Sequence, residues 1–257
     1  MKVRPVRLFR AAMLFGFAGF IAKIFLTGQM VKYMSPSLDP LTAAAGIVLA
    51  GMGVMELLQS RIPDPADAHG HDHDHDHGHE SGKIDQAFTY LLVMAPMILG
   101  LIVTPQALGS SVMSGTSMFS LLLAYPSNMG RANVDAPPAP AKPISDMPEL
   151  LVYLRRAGES GVGQRVRAAG VVVRNDALGG NEFALLRYSI VHCVADAIPV
   201  GLLVVTPGDP GVASDGWVEV EGVLAVRQRE GNRLVSIEAD RVVLAEEPVN
   251  PYLPPIF

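Results

Sequence analysis

Apolar residues are concentrated in three blocks before residue 104, and an alternating pattern replaces them in the C-terminal part of the chain. The first block, Ala11 to Val31, contains a single charged residue, Lys23, and no proline. A bilayer core requires about 20 apolar residues in a helix, so this block predicts a transmembrane helix. Lys23 either extends to the outer interface or contacts a partner helix, and the sequence leaves both interpretations open.

Two further blocks predict a second and a third transmembrane helix. Leu41 to Leu58 is rich in alanine and glycine, small residues that let helices pack closely in lipid. Ala87 to Val103 is just long enough to cross the bilayer and contains one proline, which a transmembrane helix tolerates when neighbours satisfy the freed carbonyl. A fourth apolar block, residues 112–125, is too short to span comfortably and predicts an interfacial or partner-packed helix. No small-residue cleavage site follows Val31, so we do not expect a secretory signal peptide.

Basic residues at the extreme N-terminus predict the orientation of these helices. Lys2, Arg4, Arg7 and Arg10 precede the first helix, whereas the next connection contains one basic residue. By the positive-inside rule the N-terminus lies in the cytoplasm. Three spans then place everything after Thr104 outside the cytoplasm. The chain is therefore expected in the plasma membrane of a bacterium, with residues 1–104 as its transmembrane domain.

A histidine-rich loop, residues 62–82, joins the second and third blocks. Six histidines recur at every second position and are interspersed with three aspartates: His69, His71, His73, His75, His77, His79, Asp72, Asp74 and Asp76. Imidazole binds zinc, nickel, copper and cobalt, and carboxylates add harder oxygen ligands. Glycine and proline at both ends predict a flexible tract, so we expect moderate and poorly selective binding of a divalent transition metal, with zinc as the expected ion. A solvated linker without a role is the alternative.

The C-terminal part of the chain predicts a linker followed by an all-β domain. Residues 105–148 contain six prolines after Tyr125 and predict a semi-rigid, proline-rich linker. The domain, residues 149–257, is expected to lie outside the cytoplasm and to begin with a short amphipathic helix, Glu149 to Ala157. Alternation and turn residues then predict about five strands in the segments QRVRAAGVVVR, EFALLRYSIVHCVADAIPVGLLVV, WVEVEGVLAVRQ and RLVSIEADRVVLA.

Five short strands predict a small closed barrel. The phrase G-x-R-V-x-x-x-G-x-V, which begins at Gly163, resembles the opening strand of OB-type barrels. The expected fold is thus a membrane α-helical N-terminal part with about three transmembrane helices, plus a C-terminal OB-like β-barrel. This similarity concerns the fold and implies no function.

Charge and cysteine content argue against a nucleic-acid partner and against an intrachain disulfide. The chain has 20 Lys and Arg residues against 25 Asp and Glu residues, and from Leu151 onward it has ten basic and thirteen acidic residues. A nucleic-acid site needs a basic groove and stacking aromatic side chains, so we expect no nucleic-acid partner. Cys193 is the only cysteine, which excludes an intrachain disulfide.

The segment RYSIVHCVADAIPVG, residues 187–201, contains the candidate chemistry of the β-domain. His192, Cys193 and Asp196 are candidate ligands of one soft metal ion, with Asp196 in a turn after the strand. Adjacent strand residues point to opposite faces, so His192 and Cys193 share an ion only across a bulge. A small buried Cys193 is the second interpretation. Nucleophilic catalysis is disfavoured because no suitable base is nearby, and we do not expect an enzyme.

Asp196 requires compensation if its carboxylate is buried. It would then accept backbone N–H bonds, pair with Arg187, or hold an ion, because an uncompensated buried charge is costly. Pro199 and Gly201 let the chain leave the sheet and return Asp196 toward either His192 or Cys193.

This combination of spans, loop and β-domain resembles the YcgQ-like family of permease subunits. The matching positions are Arg187, Cys193, Ala195, Asp196, Ala197, Pro199 and Gly201. His192 stands where the family has a first cysteine, so a metal-competent side chain is kept but a vicinal dithiol is lost. The resemblance implies a polytopic YcgR-like permease as partner, often in a zinc-responsive setting.

The expected function is therefore an integral membrane accessory subunit of a permease that handles a divalent transition metal. A membrane metal sensor or buffer without transport is one alternative. An envelope scaffold or enzyme with a ligand-binding barrel is another.

Overall fold

Helices and strands occupy separate parts of the chain in the computed structural model. The structure describes residues 5–60, 82–113, 140, 142–176, 178–229 and 232–255. The chain divides into two units, residues 1–106 and residues 107–257. The six tract histidines and most of the predicted helix 112–125 lie outside the described residues. A short 3-10 helix covers Ser110–Met113.

The described residues of the first unit contain three long helices: α1 (Pro5–Leu26), α2 (Asp39–Gln59) and α3 (Gly82–Ile102). Within the described residues, two helical segments are long and apolar enough to cross a membrane, Val6–Leu26 and Pro36–Gln59. The apolar part of α3, Tyr90–Ile102, is shorter and does not reach that length. Two of the three predicted spans therefore have membrane length here, and a third remains a prediction.

The first helix begins and ends earlier than its apolar block predicts. It ends at Leu26 rather than Val31, because Gly28 has a left-handed backbone with φ of 68° and Gln29–Lys32 form a separate 3-10 helix. Glycine adopts this conformation without a side-chain penalty, and it commonly ends helices. The apolar residues beyond Gly28 therefore belong to the connection toward α2.

Close approaches at glycine pack the helices of the first unit together. Gly53 of α2 lies against the ring of Phe15, and a Cβ at Gly100 of α3 would come within 2.8 Å of the ring of Phe20. Small residues permit such approaches between helices in lipid. The Lys23 ammonium donates to the Leu101 carbonyl at 2.8 Å. This carbonyl belongs to the last turn of α3, where carbonyls lack intrahelical donors and a cation complements the helix dipole.

In the part of the second unit that the structure describes, there are one α-helix and six strands. Helix α4 (Met147–Ala157) is N-capped by Asp146, whose carboxylate accepts the backbone N–H of Glu149 at 2.8 Å. The strands are β1 (Arg165–Val173), β2 (Glu182–Ser189), β3 (Ile198–Val205), β4 (Trp217–Arg229), β5 (Asn232–Leu244) and β6 (Tyr252–Leu253).

The strand pairings close the sheet on itself. Strand β2 pairs antiparallel with β1 and β3, and β4 pairs antiparallel with β1 and β5. Strands β3 and β5 pair in parallel, so the order β1–β2–β3–β5–β4 returns to β1. Strand β6 pairs in parallel with the end of β2, at Tyr188 and Ser189. Fully buried side chains, among them Phe183, Leu185 and Ile237, form one apolar cluster with Leu150 and Leu154 of α4.

The structure corrects the end of one predicted strand. Strand β2 ends at Ser189 and β3 begins at Ile198, so His192 and Cys193, which were expected on a strand, lie in the turn together with Asp196. This turn includes the 3-10 helix Val194–Asp196 and separates the two strands. Apolar alternation continues through this turn, but the Asp196 carboxylate binds local backbone N–H groups and thereby offers them an alternative to the strand ladder.

Candidate functional site

The candidate site is the turn between β2 and β3, residues 190–197, which we call the β2–β3 turn. The Asp196 carboxylate accepts backbone N–H bonds from Val191 at 3.0 Å, His192 at 2.9 Å and Cys193 at 3.3 Å. One side chain thus organises three consecutive backbone donors. Of the three ways in which Asp196 was expected to be compensated, the structure shows the backbone donors.

His192 is the side chain that the turn presents to solvent. Its side chain is 71% exposed, and its Nδ1 lies 3.1 Å from Oδ2 of Asp196. An ionised carboxylate only accepts hydrogen bonds, so Nδ1 carries the proton in this contact. In the neutral ring Nε2 then keeps its lone pair, which is the electronic state of a metal-binding imidazole.

Cys193 is a free, half-buried thiol that caps the 3-10 helix of the turn. Its sulfur accepts the backbone N–H of Asp196, while Asp196 accepts the backbone N–H of Cys193. This reciprocal pair has the form of a capping box, with a thiol in place of the usual hydroxyl. Cys193 therefore takes part in the local structure of the turn, but it is half-buried and not buried as the second interpretation expects.

Arg187 holds the C-terminal segment against β2. Its Nε donates to the Pro251 carbonyl at 2.8 Å, and one terminal nitrogen donates to the Asn250 carbonyl at 3.1 Å. The guanidinium also lies over the ring of Trp217, 5.2 Å from its centroid. Burial lowers the pKa of Arg187, although nearby Asp146 opposes this effect. The described hydrogen bonds of Arg187 thus go to backbone carbonyls and not to Asp196.

The metal interpretation of this turn receives no direct support from the geometry. Among residues that the structure describes, no group of three or more His, Cys, Asp and Glu side chains could hold a metal ion. The turn brings the His192 ring to the Asp196 carboxylate, but it does not arrange Cys193 with them around one ion. The predicted ligands of the tract lie outside the described residues, so their metal role stays a prediction.

Sequence reasoning missed a group of residues beside the turn. Tyr188 donates its hydroxyl proton to the Gly109 carbonyl at 2.7 Å, and the backbone N–H of Leu108 donates to the Tyr252 hydroxyl at 3.3 Å. Burial raises the pKa of Tyr188 to about 12, helped by the charge of Asp215, so its hydroxyl keeps its proton near neutral pH. The signal that could have revealed these contacts was the pair of tyrosines, because a buried tyrosine hydroxyl needs a polar partner.

Replacing Asp196 by asparagine is expected to lower the Tm of the β-domain by a few degrees. Although desolvation acts to raise the pKa of Asp196, the N–H donors of Val191, His192 and Cys193 and the His192 ring together lower it. Because the folded pKa is depressed, this stabilisation is complete above the ordinary carboxyl range and is lost as pH falls through the folded value. The difference in Tm between the two proteins should therefore shrink in acid.

The measurement is the Tm as a function of pH, followed by the fluorescence of Trp217, the only tryptophan in the chain. Asp176→Asn is the matched control, because Asp176 is an exposed carboxylate in the loop between β1 and β2. A Tm difference for Asp196→Asn that stays constant from neutral to acid pH would contradict the assigned role of the carboxylate.

Most of the chain is similar to known protein domains. The DUF1980 N-terminal domain matches residues 9–118, and the DUF1980 C-terminal domain matches residues 148–255. The chain belongs to the DUF1980 family. The UPF0703 protein YcgQ of Bacillus subtilis is 33% identical to this DUF1980 chain over 64 residues, which are 25% of the chain and 22% of that protein. The predicted resemblance to YcgQ-like proteins is therefore confirmed.

A second relative has an informative name. A Streptococcus mutans protein named "Putative two-component membrane permease complex subunit" is 31% identical over 87 residues, 33% of this chain and 32% of that protein. The chain thus spans less than a third of either relative's length in these matches. A DUF3299 family protein from Pseudomonas aeruginosa PAO1 covers 44% of this chain and 90% of its own length at 22% identity, with a TM-score of 0.25, which is too low to carry an argument.

Proposed function

We propose that this DUF1980 chain is an integral membrane accessory subunit of a permease complex. The observation that carries the proposal is the exposed apolar surface of the helical unit: Leu26, Leu41 and Ile47 are 85%, 68% and 74% exposed. Large exposed apolar side chains on helices of membrane length are typical of a membrane or protein contact. The name of the S. mutans relative supports a permease as the partner. The specific partner that we propose is a polytopic, YcgR-like permease.

All three helices are proposed to span the bilayer, with the N-terminus in the cytoplasm and the β-domain outside. Helix α3 has 21 residues, or roughly 30 Å at 1.5 Å per residue, and its apolar stretch Tyr90–Ile102 forms the C-terminal part of that length. The hydrogen bond from Lys23 to Leu101 supports α3 as a neighbour of α1 in the same layer. Reporter fusions at Ser81 and Arg131 should then report opposite compartments, and the same compartment for both would exclude three spans.

Transport by this chain alone is not part of the proposal. Beyond their first two turns, the three helices contain only Lys23 and Glu56 as charged residues, and the Lys23 ammonium already binds a carbonyl of α3. Charged groups along a membrane pathway mark the route of a polar substrate. The partner permease would therefore supply most of that route, and this chain is assigned no catalytic role.

The closed sheet is proposed to be an OB-type barrel. Its support is the ring of pairings β1–β2–β3–β5–β4, in which only the β3–β5 pair is parallel. OB-type barrels bind many unrelated ligands, so this assignment does not choose among functions. At the β2–β3 turn we propose only that the exposed His192 ring, held in position by Asp196, can contribute one metal ligand.

Handling of a divalent transition metal, with zinc as the proposed ion, rests on the histidine tract. A sensor or buffer would use the same tract without a partner permease, whereas a scaffold or enzyme would use the β-domain without the tract. Recovery of a permease together with the chain separates the first alternative from our proposal. Removal of the tract separates our proposal from the scaffold or enzyme, because only our proposal expects metal handling to be lost with the tract.

The test is co-purification of the full chain from its native membrane. A tagged chain extracted in mild detergent should recover a polytopic membrane protein in stoichiometric amount, identified by mass spectrometry, and the complex should contain zinc by metal analysis. A tagged membrane protein of unrelated sequence from the same membranes is the control. Recovery of the chain alone, under conditions that preserve other membrane complexes, would contradict the proposed subunit role.

A further inference from the structure

The segment Leu108–Ser110, which we call the strap, is fixed to the β-domain at three points. Tyr188 of β2 donates to the Gly109 carbonyl, and Tyr252 of β6 accepts the backbone N–H of Leu108. The backbone N–H of Ser110 donates to the carboxylate of Asp215, in the loop before β4. Each residue of the strap is therefore held by a side chain from a different part of the domain.

The docked position of the strap has little steric freedom. A Cβ added to Gly109 would lie 2.5 Å from Oδ1 of Asp215. Asp215 has a φ of 68°, and among the described residues no other non-glycine residue has a positive φ. Aspartate tolerates this left-handed conformation better than most residues, at some cost in backbone energy. The loop before β4 is thus shaped to place its carboxylate at the strap.

The strap and the β2–β3 turn share one small apolar cluster. Its centre consists of Tyr188, Ile190 and Tyr252, which are 2%, 2% and 3% exposed. Packed against these three are Leu108 from the strap and Val194 and Ala197 from the turn. Packed clusters respond to a displaced member by changing arrangement, because their interiors are dense and leave few voids. A displacement of the turn therefore changes the packing that is available to Leu108.

We propose that the strap is a regulatory coupling device, whose docked and released states are set by the β2–β3 turn and act on α3. Only residues 103–107 separate the end of α3 at Ile102 from Leu108. Release of the strap lengthens the unconstrained connection after α3, and docking shortens it. Any ligand or partner that orders or distorts the turn would shift this equilibrium in proportion to its preference for one state. The coupling is independent of whether that ligand is a metal ion.

The test measures amide hydrogen exchange in the full chain, in detergent micelles, for peptides that cover residues 103–113, 190–197 and 165–173. Asp196→Asn perturbs the turn without touching the strap, and Tyr188→Phe combined with Tyr252→Phe removes the two hydroxyls that hold the strap. Each is expected to accelerate exchange about three- to tenfold in both the strap and turn peptides, since one or two hydrogen bonds are lost. Peptides of β1, residues 165–173, should be unchanged.

Tyr153→Phe is the matched control, because Tyr153 is also a buried tyrosine but lies in α4. Leu108→Ala is a milder second perturbation that leaves both hydroxyls in place, for use if the double variant accelerates exchange in β1 as well. Faster exchange in the turn alone for Asp196→Asn would overturn the proposal. So would faster exchange in the strap alone for the variants at Leu108 or at the tyrosines.

Discussion

Replacing Gly201 by alanine is expected to destabilise the β-domain severely. The added Cβ would lie 2.2 Å from the Leu185 carbonyl oxygen and 2.3 Å from Cδ2 of Leu186. Leu186 is the cross-strand partner of Gly201 in the β2–β3 ladder. Strand β2 cannot withdraw, because it also pairs with β1 on its other side. Overpacking costs about 1–3 kcal/mol where side chains can move, and a clash with paired backbone should reach or exceed the upper value.

The measurement for Gly201→Ala is urea unfolding of the full chain followed by the fluorescence of Trp217, which lies at the start of β4. Gly208→Ala is the matched control, because nothing lies within 4 Å of a Cβ at Gly208 and its φ is not in the left-handed range. The control is expected to change the free energy of unfolding by less than about 0.5 kcal/mol. Similar losses for the two variants would refute the assigned role of the close approach.

The importance of Gly201 illustrates what the sequence could predict and what it could not. The segment A-D-A-I-P-V-G marked this glycine as part of a family pattern. The physical reason for a glycine here is the close approach of the Leu185 carbonyl of β2, which lies much earlier in the chain. Alternation predicted most strands because it reports which local face is buried. It could not predict the parallel pairing of β3 with β5, since that pairing depends on the path of the whole chain.

The β2–β3 turn shows a different limit of pattern reading. Its first residues are mostly apolar, so they extend the alternation of β2 and predict that His192 and Cys193 lie on that strand. The competing interaction comes from a single carboxylate, Asp196, that satisfies three backbone N–H groups at once. The residue types at the site were identified from the sequence, whereas their contacts were not. The strap gave no local signal, because its partners Tyr188, Asp215 and Tyr252 lie 79 to 144 residues away.

Replacing all six tract histidines with serine is expected to remove most of the low-affinity zinc bound by the purified full chain. Serine keeps a small polar side chain but lacks the imidazole nitrogen that binds zinc. Folding and membrane insertion should be unchanged, because a solvated loop contributes little packing energy. The measurement is zinc stoichiometry by metal analysis after equilibrium dialysis, with the fluorescence of Trp217 as a check on the β-domain. Unchanged stoichiometry would refute the metal role of the tract and favour the solvated linker.

The ligand type can be separated from simple charge attraction. Replacing Asp72, Asp74 and Asp76 with asparagine removes three negative charges but keeps every imidazole. This variant should weaken zinc binding without abolishing it, because the carboxylates mainly raise the local cation concentration. Zinc should also be released as pH is lowered through about 6.5, since protonated imidazole cannot bind a metal. Release that begins only in the carboxyl titration range would instead assign the binding to the aspartates.

Zinc that remains after the tract histidines are replaced would locate a second site. In that background His192→Ala removes the exposed imidazole of the β2–β3 turn, while Asp196 keeps its three backbone donors and the turn keeps its fold. Loss of the residual zinc with an unchanged Tm would assign it to His192. Retention of the residual zinc would exclude the turn as a metal site. The contact between His192 and Asp196 would then stabilise the turn only, and the residual zinc would belong to groups other than the tract histidines and His192.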